Sequence, residues 1–245
     1  MTRLAAMDST TRSLSVMRRA LLLSSFPLGV LTLGIPIYGP SNLHINATQV
    51  GTLFSVYALM TLLMRPLVGP AIDRYGRRRF FLAGVTLQML SNVFIATGSS
   101  YEWLLWGRVI QGIAAGMLWL SAYAITADLA AQGNHGNLFG SVEEMLARGG
   151  LYGAIIGAPI LLLSRFDPAA WKIVFGLYAV LNAFGLWLAW QHLPETYHKS
   201  QRQAVSEKAT ITKPLLILAA IVLCTSVANA GLTPILIQFV QSNIN

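Results

Sequence analysis

The chain predicts an all-α membrane protein: a six-helix bundle followed by a seventh membrane-crossing helix. Three observations carry this. Hydrophobic residues make up 55% of the 245 and charged residues only 11%, where a soluble domain carries about 25% charged. The apolar residues gather into seven runs, each about 20 residues or longer, enough to cross a hydrocarbon core about 30 Å thick. Polar connectors separate the runs, and most of the lysines and arginines sit in them. The net charge of +8 is therefore a topological signal and not the footprint of a nucleic-acid partner.

The elements follow in order. Residues 1–19 form a polar, basic amino-terminal tail with Arg3, Arg12, Arg18 and Arg19. The first span is Ala20 to Tyr38. Its basic start and apolar core also suit a secretory signal, but it is long enough to cross, lacks a clear small-x-small cleavage site and is followed by more spans. Gly39 to Thr48 is a polar loop, and Gln49 to Val68 the second span. After a charged stretch from Gly69 to Arg79, the third span runs from Phe80 to Gly98. A tight connection at Ser99 to Glu102 leads to the fourth, Trp103 to Thr126. Ala127 to Asn137 reads as a loop, Leu138 to Leu163 as the fifth span, Arg165 to Pro168 as a turn, and Trp171 to Leu193 as the sixth. Thus 20–193 form the bundle. Residues 194–213 are a basic linker, and the seventh span begins at Pro214, runs to about Val240 and closes the 214–245 segment.

Basic residues orient the spans. With the amino terminus in the cytoplasm, the inner segments hold twelve Lys and Arg, and the outer segments hold two, Arg165 and Lys172. That asymmetry predicts a cytoplasmic amino terminus, a cytoplasmic Gly69–Arg79 stretch and a cytoplasmic linker. The expected location is the cell membrane, crossed several times.

Other chemistries are excluded by what the chain lacks. A single cysteine, Cys224, rules out an intramolecular disulfide and reads as a small apolar residue in a helix. The acids and histidines show no metal-ligand spacing, and no phosphate loop ends in Lys-Ser or Lys-Thr. Neither a cofactor, a metal nor an enzymatic activity is expected.

The densest local signal is Gly69-Pro-Ala-Ile-Asp73-Arg74-Tyr-Gly76-Arg77-Arg78-Arg79. Gly69 lets neighbouring helices approach. Gly76 is free to take the positive φ of a tight reversal. Asp73 is placed to cap a helix or meet the positive end of a helix dipole, and the arginines suit an anionic membrane surface. Within the spans, Arg108 is the one deeply placed cation, about 9 Å along the helix from Glu102. An intramembrane arginine is a functional candidate by default; the alternative is snorkelling to the headgroups. Gln111 and Gly112 share its face. Gly149, Gly153 and Gly157 recur every four residues, a smooth stripe for close helix packing, and Pro159 follows as a bend. Glu144 and Arg148 are spaced to pair. No Asp or Glu lies in the middle of spans one to six. Asn182, Thr225, Ser226 and Asn229 are polar span residues suited to helix–helix hydrogen bonds or a cavity wall.

In combination and order, these motifs resemble those of the major facilitator superfamily of secondary transporters. The Gly69-to-Arg78 signature resembles that family's loop between its second and third helices. Arg108-x-x-Gln111-Gly112 resembles its fourth-helix motif. The Gly149–Pro159 series resembles the fifth-helix motif of its antiporters, and Leu193-Pro194-Glu195-Thr196 the close of its first half. The chain departs from the antiporter pattern at Ala158, where glycine is usual, and at Ile160 to Leu162, which lack the final glycine pair.

The resemblance implies alternating access between two bundles around a midplane site. It assigns gating to Gly69, Asp73, Arg74, Gly76, Arg77 and Arg78, with Asp128 as the expected partner of Arg77. It assigns coupling or substrate contact to Arg108, Gln111 and Gly112. The expected partners are a small solute, protons and the lipid bilayer, as antiporter or symporter, with export ahead of import. Six spans, a basic linker and a lone seventh helix also suggest a truncated chain whose second half is absent. Two alternatives stand beside this: a non-transporting fragment or membrane partner protein, and a half-size unit that pairs with a second copy.

Overall fold

The computed structural model describes residues 2–129 and 135–196, with side chains over 12–129 and 138–196. The expected seventh helix, most of the basic linker, Cys224, Thr225, Ser226 and Asn229 lie outside the described residues. Every regular element described is an α-helix: α1 (Thr2–Ser24), α2 (Phe26–Leu43), α3 (Ala47–Tyr75), α4 (Arg77–Thr97), α5 (Tyr101–Leu129), α6 (His135–Leu163) and α7 (Pro168–His192). They supply six stretches long and apolar enough to cross a membrane, because α1 and α2 act as one span, Arg12–Leu43, interrupted at Ser25.

The interruption has a local cause. Pro27 has no N–H, so the carbonyl of Leu23 loses its helical donor. Ser25 N–H is shared between Leu21 O and Leu22 O at 3.1 and 3.2 Å, and its hydroxyl donates back to Leu21 O at 2.8 Å.

The helices reach further than the apolar runs suggested. The expected tail is helical from Thr2, α2 extends to Leu43, and His135 to Asn137, read as loop, open α6. Polar side chains end an apolar run without ending the backbone ladder. True ends are set by caps. Asn46 and Gln49 form a reciprocal capping box at the start of α3, each bond 2.9 Å. The α6–α7 turn closes with Phe166 N–H on Leu161 O at 2.7 Å and Arg165 N–H on Leu162 O at 3.1 Å. Phe166 and Leu161 are both buried in one apolar cluster, as this type of helix end favours. Asp167 then caps α7 through Ala169 N–H at 2.9 Å.

The core is layered. One apolar cluster gathers Phe26, Leu31, Ile95, Leu104, Trp171 and Tyr178 among others. The other gathers Met17, Leu21, Phe81, Leu118, Ile125 and Ala189, toward the arginine-rich end. On four of the helices, buried polar side chains fall between the two: Ser24 on α1, with Ser25 at its end, Gln88, Ser91 and Asn92 on α4, Arg108 and Gln111 on α5, and Asn182 on α7. Trp171 stacks on Tyr38 at 4.1 Å and donates to Ile95 O at 2.9 Å, fixing α7 against α2 and α4.

The turn carries a test. Arg165 sits at φ +53°, a left-handed conformation that costs a non-glycine residue about 1 kcal/mol. Arg165→Gly should raise thermal stability in detergent by a comparable amount; a lower melting temperature would contradict this account of the turn.

Candidate functional site

The Gly69–Arg79 stretch is not the loop expected from sequence. Its first part is the last turns of α3, its last part opens α4, and the connector between the helices is Gly76 alone. Gly76 takes φ +100° and ψ 151°, and its N–H closes α3 on Ile72 O. Helical backbone bonds persist through the charged residues, and only a residue tolerant of this φ reverses the chain.

The N–H groups that open α4 are capped from a distant part of the sequence. Glu195, just beyond α7, accepts from Arg77 N–H at 2.9 Å and from Arg78 N–H at 3.5 Å. A Cβ on Gly76 would stand 2.5 Å from the same carboxylate. Asp73, expected as the capping acid, is instead 61% exposed and reaches Arg77 only at 3.9 Å. Its place one turn before the break points it outward, and Glu195 occupies the cap.

Arg77 is the centre of this cluster. It forms an ion pair with Asp128 near the end of α5 and donates to Ala124 O at 2.6 Å. Both charged side chains are largely buried, 16% and 12% exposed. Thr196 donates to the same Asp128 carboxylate at 2.9 Å. Arg78 donates to Trp190 O on α7 at 2.5 Å. The ends of α3, α4, α5 and α7 are thereby tied together by one set of charge-assisted bonds. Arg74 lies exposed over the Tyr75 ring, 5.3 Å from its centroid. Gly69 has only ordinary contact with Leu120, at 3.9 Å, so close helix approach does not explain it.

Glu195 and Thr196 stood out in sequence only as part of a motif; no local pattern reveals a cap 118 residues away. Two further ties were not legible either. Tyr123 on α5 donates to Glu143 on α6, and Arg18 on α1 donates to Ser141 at 2.7 Å. Glu144 and Arg148 pair at 2.6 Å on the exposed face of α6.

In the polar middle layer, Arg108 does not snorkel. It is 3% exposed, with Nε donating to Leu53 O at 3.1 Å and Nη1 to Gln111 Oε1 at 2.5 Å. The Tyr57 and Phe54 rings lie 4.4 and 5.3 Å from its guanidinium carbon. Gly112 permits this geometry, because a Cβ there would stand 2.6 Å from Tyr57 O. Thr61 spans the same contact, donating to Tyr57 O at 2.8 Å and Gly112 O at 3.2 Å.

The glycine stripe of α6 faces the α1–α2 span. A Cβ on Gly149 would run into Leu22 O, one on Gly153 into Phe26 O, and one on Gly157 into the Tyr178 hydroxyl, which donates to Gly153 O at 2.7 Å. α6 continues as a helix through Pro159. Asn182 donates to its own helix, at Tyr178 O, 2.9 Å away, and so makes no bond to a neighbouring helix among the described residues. No group of three or more potential metal ligands occurs among the described residues.

Six long apolar helices, charged clusters at their ends and a buried polar layer define a multi-pass membrane protein of the cell membrane. The chain belongs to the Major Facilitator Superfamily, whose profile matches residues 17–244. It is 29% identical over 160 residues to a triacylglyceride transporter of Mycobacteroides abscessus, covering 65% of this chain and 30% of that protein. It is 24% identical over 159 residues to the quinolone resistance protein NorA of Staphylococcus aureus, covering 65% and 41%. The chain thus spans less than half the length of these relatives. Among solved structures it resembles tetrameric PepTSo2, at TM-score 0.65 and 15% identity over 95% of this chain and 50% of that one. It also resembles the human organic anion transporter MFSD10, at TM-score 0.58 and 22% identity over 76% and 48%. These likenesses establish the fold.

The Arg77–Asp128 pair is open to a double-mutant cycle. Arg77→Gln and Asp128→Asn should each destabilise the protein. The double variant should lose less than the sum, by about 1–3 kcal/mol. Additive losses in thermal unfolding would show that the pair contributes nothing.

Proposed function

We propose that this chain is part of a secondary transporter that moves a small solute by alternating access. The observation that carries the reading is the concentration of buried polar groups, with one cation, in a layer midway between two apolar clusters. Buried polar groups in a membrane bundle are costly and mark solute or ion pathways, and transporter folds of this kind place their sites at the midplane. Membership of the family supports the same class.

The roles follow from the two clusters. Arg77, Asp128, Gly76 and Arg78, with Glu195 and Thr196, form a gate on the cytoplasmic side that holds four helix ends in one arrangement. Asp73 and Arg74 are exposed beside them, available to a second bundle. Arg108, Gln111 and Gly112 take part in substrate contact or proton coupling. Export driven by a proton gradient is the favoured direction, in keeping with the drug-resistance relative. The apolar residues exposed along α3 (Leu59, Leu62, Leu63 and Leu67) and along α6 (Leu151, Ile155 and Leu162) offer the surface for a second bundle, whether the other half of the transporter or a second copy.

The full chain should be tested in vesicles with an imposed proton gradient. Solute movement should respond to the gradient and fall at least tenfold in Arg108→Ala, a loss worth about 1.4 kcal/mol, with partial retention in Arg108→Lys. Transport unchanged by both substitutions would remove Arg108 from coupling and contact alike.

A further inference from the structure

The charge accounting around Arg108 goes further than a general transporter site. The guanidinium is buried, yet among the described residues both oxygens that hold it, Leu53 O and Gln111 Oε1, are neutral. Asp73, Asp128 and Glu195 lie in or beside the cluster at the Arg77 end of the bundle, Glu143 and Glu144 early in α6, and Asp167 in the α6–α7 turn. Glu102, the nearest acid along α5, is exposed. Breaking or omitting the partner of a buried charge is strongly unfavourable. The ring faces of Tyr57 and Phe54 offset part of that cost, but they carry no negative charge.

The polar atoms left unspent beside Arg108 are donors. Gln111, fully buried, has no partner for Nε2, and the buried Tyr57 hydroxyl has none either. Both belong to side chains in contact with the guanidinium, the Gln111 amide bonded to it and the Tyr57 ring lying against it. A donor set around a fixed positive charge matches an occupant that accepts hydrogen bonds and is negative. A neutral solute would leave the charge uncompensated, and a cation would be repelled.

We infer that the solute is an organic anion, with its carboxylate or equivalent oxyanion seated on Arg108, Gln111 Nε2 and the Tyr57 hydroxyl. This rests on the transporter reading for the word solute; the seat itself rests on the donor set. The neighbouring wall is polar as well. Gly84 packs on Leu118 and Gly107 on Ile95, so the antiparallel register of α4 and α5 brings Ser91 level with Gln111. The Ser91 hydroxyl and both amide atoms of Asn92 are buried without partners and are available to polar groups on the rest of the solute. Arg108 is 3% exposed, so the seat is shut in this conformation. An anion enters as α3 moves off α5 and takes over the guanidinium from the Leu53 carbonyl.

The negative group has two conceivable sources, a bound anion or a side-chain carboxylate from elsewhere in the chain, and one experiment separates them. Thermal unfolding of the full chain in detergent is followed with millimolar benzoate and with benzamide, its neutral counterpart, at equal ionic strength. Benzoate should raise the melting temperature and benzamide should not; Arg108→Lys should keep part of the shift and Arg108→Gln none. Should Arg108→Gln fail to fold, Gln111→Leu serves in its place, with benzoate binding weakened about tenfold. Equal shifts from the two compounds, no benzoate shift, or a shift surviving both Arg108→Gln and Gln111→Leu would overturn the proposal and leave an intramolecular carboxylate as the counter-charge. If benzoate binds but the chain moves no solute in vesicles, the transporter reading fails while the seat stands. Transport without a benzoate effect is the reverse case.

Discussion

A guanidinium buried in the middle of a membrane-spanning bundle, with only neutral oxygens against it among the described residues, is the constraint on which the rest of this structure turns. Its desolvation costs several kcal/mol, and the surroundings are arranged to offset that. Leu53 gives up a carbonyl, Gln111 turns its amide oxygen inward, and two aromatic rings present their faces. The contacts from Leu53, Phe54 and Tyr57 require α3 and α5 to lie close, which Gly112 permits and Thr61 secures. The apolar clusters sit on either side of this level. Most of the buried polar atoms without partners belong to it.

The Arg77 end answers a different problem. Four helix ends meet there, and each leaves backbone groups unpaired. Glu195 meets the N–H groups of α4, Arg77 and Arg78 meet the carbonyls of Ala124 and Trp190, and Asp128 joins α5 to both Arg77 and Thr196. Arg77 Nη1, Asp128 Oδ2 and Glu195 Oε1 each take part in two of these contacts. The glycine stripe of α6, seated on carbonyls of the α1–α2 span, gives the opposite kind of contact. It is close backbone packing, with Gly149 set against Leu22 O and Gly153 against Phe26 O.

Much of this was legible in the sequence, for identifiable reasons. Membrane spans announce themselves because the hydrocarbon core demands long apolar runs, so all six described crossings fell where the runs did. Helix ends did not. Residues 69–75 were read as loop from their charge, whereas the backbone stays helical to Tyr75 and turns at one glycine. Arg108 was visible as a candidate because a cation in an apolar run is rare. Its neighbours on α3 were not, since Leu53 contributes a backbone atom and Tyr57 a ring face, neither of which leaves a mark in the residue pattern. Glu195 as the cap of α4 depends on a contact 118 residues apart in sequence, which only the packing of α4 on α7 creates. Buried Ser91 and Asn92 of α4 look like ordinary helix residues until both apolar clusters are in place around them.

The central claim is that the polar layer is reached by water and solute while the outer helix faces meet lipid. Cysteine reactivity tests it directly, in a Cys224→Ser background. Tyr57→Cys should react with a membrane-impermeant maleimide in intact vesicles. Val180→Cys, on the outward face of α7 at 66% exposure, should stay unreactive because it lies in hydrocarbon. Reaction at position 57 and protection at 180 is the predicted result. Protection at both positions would mean that the layer never opens to water, and would contradict the account.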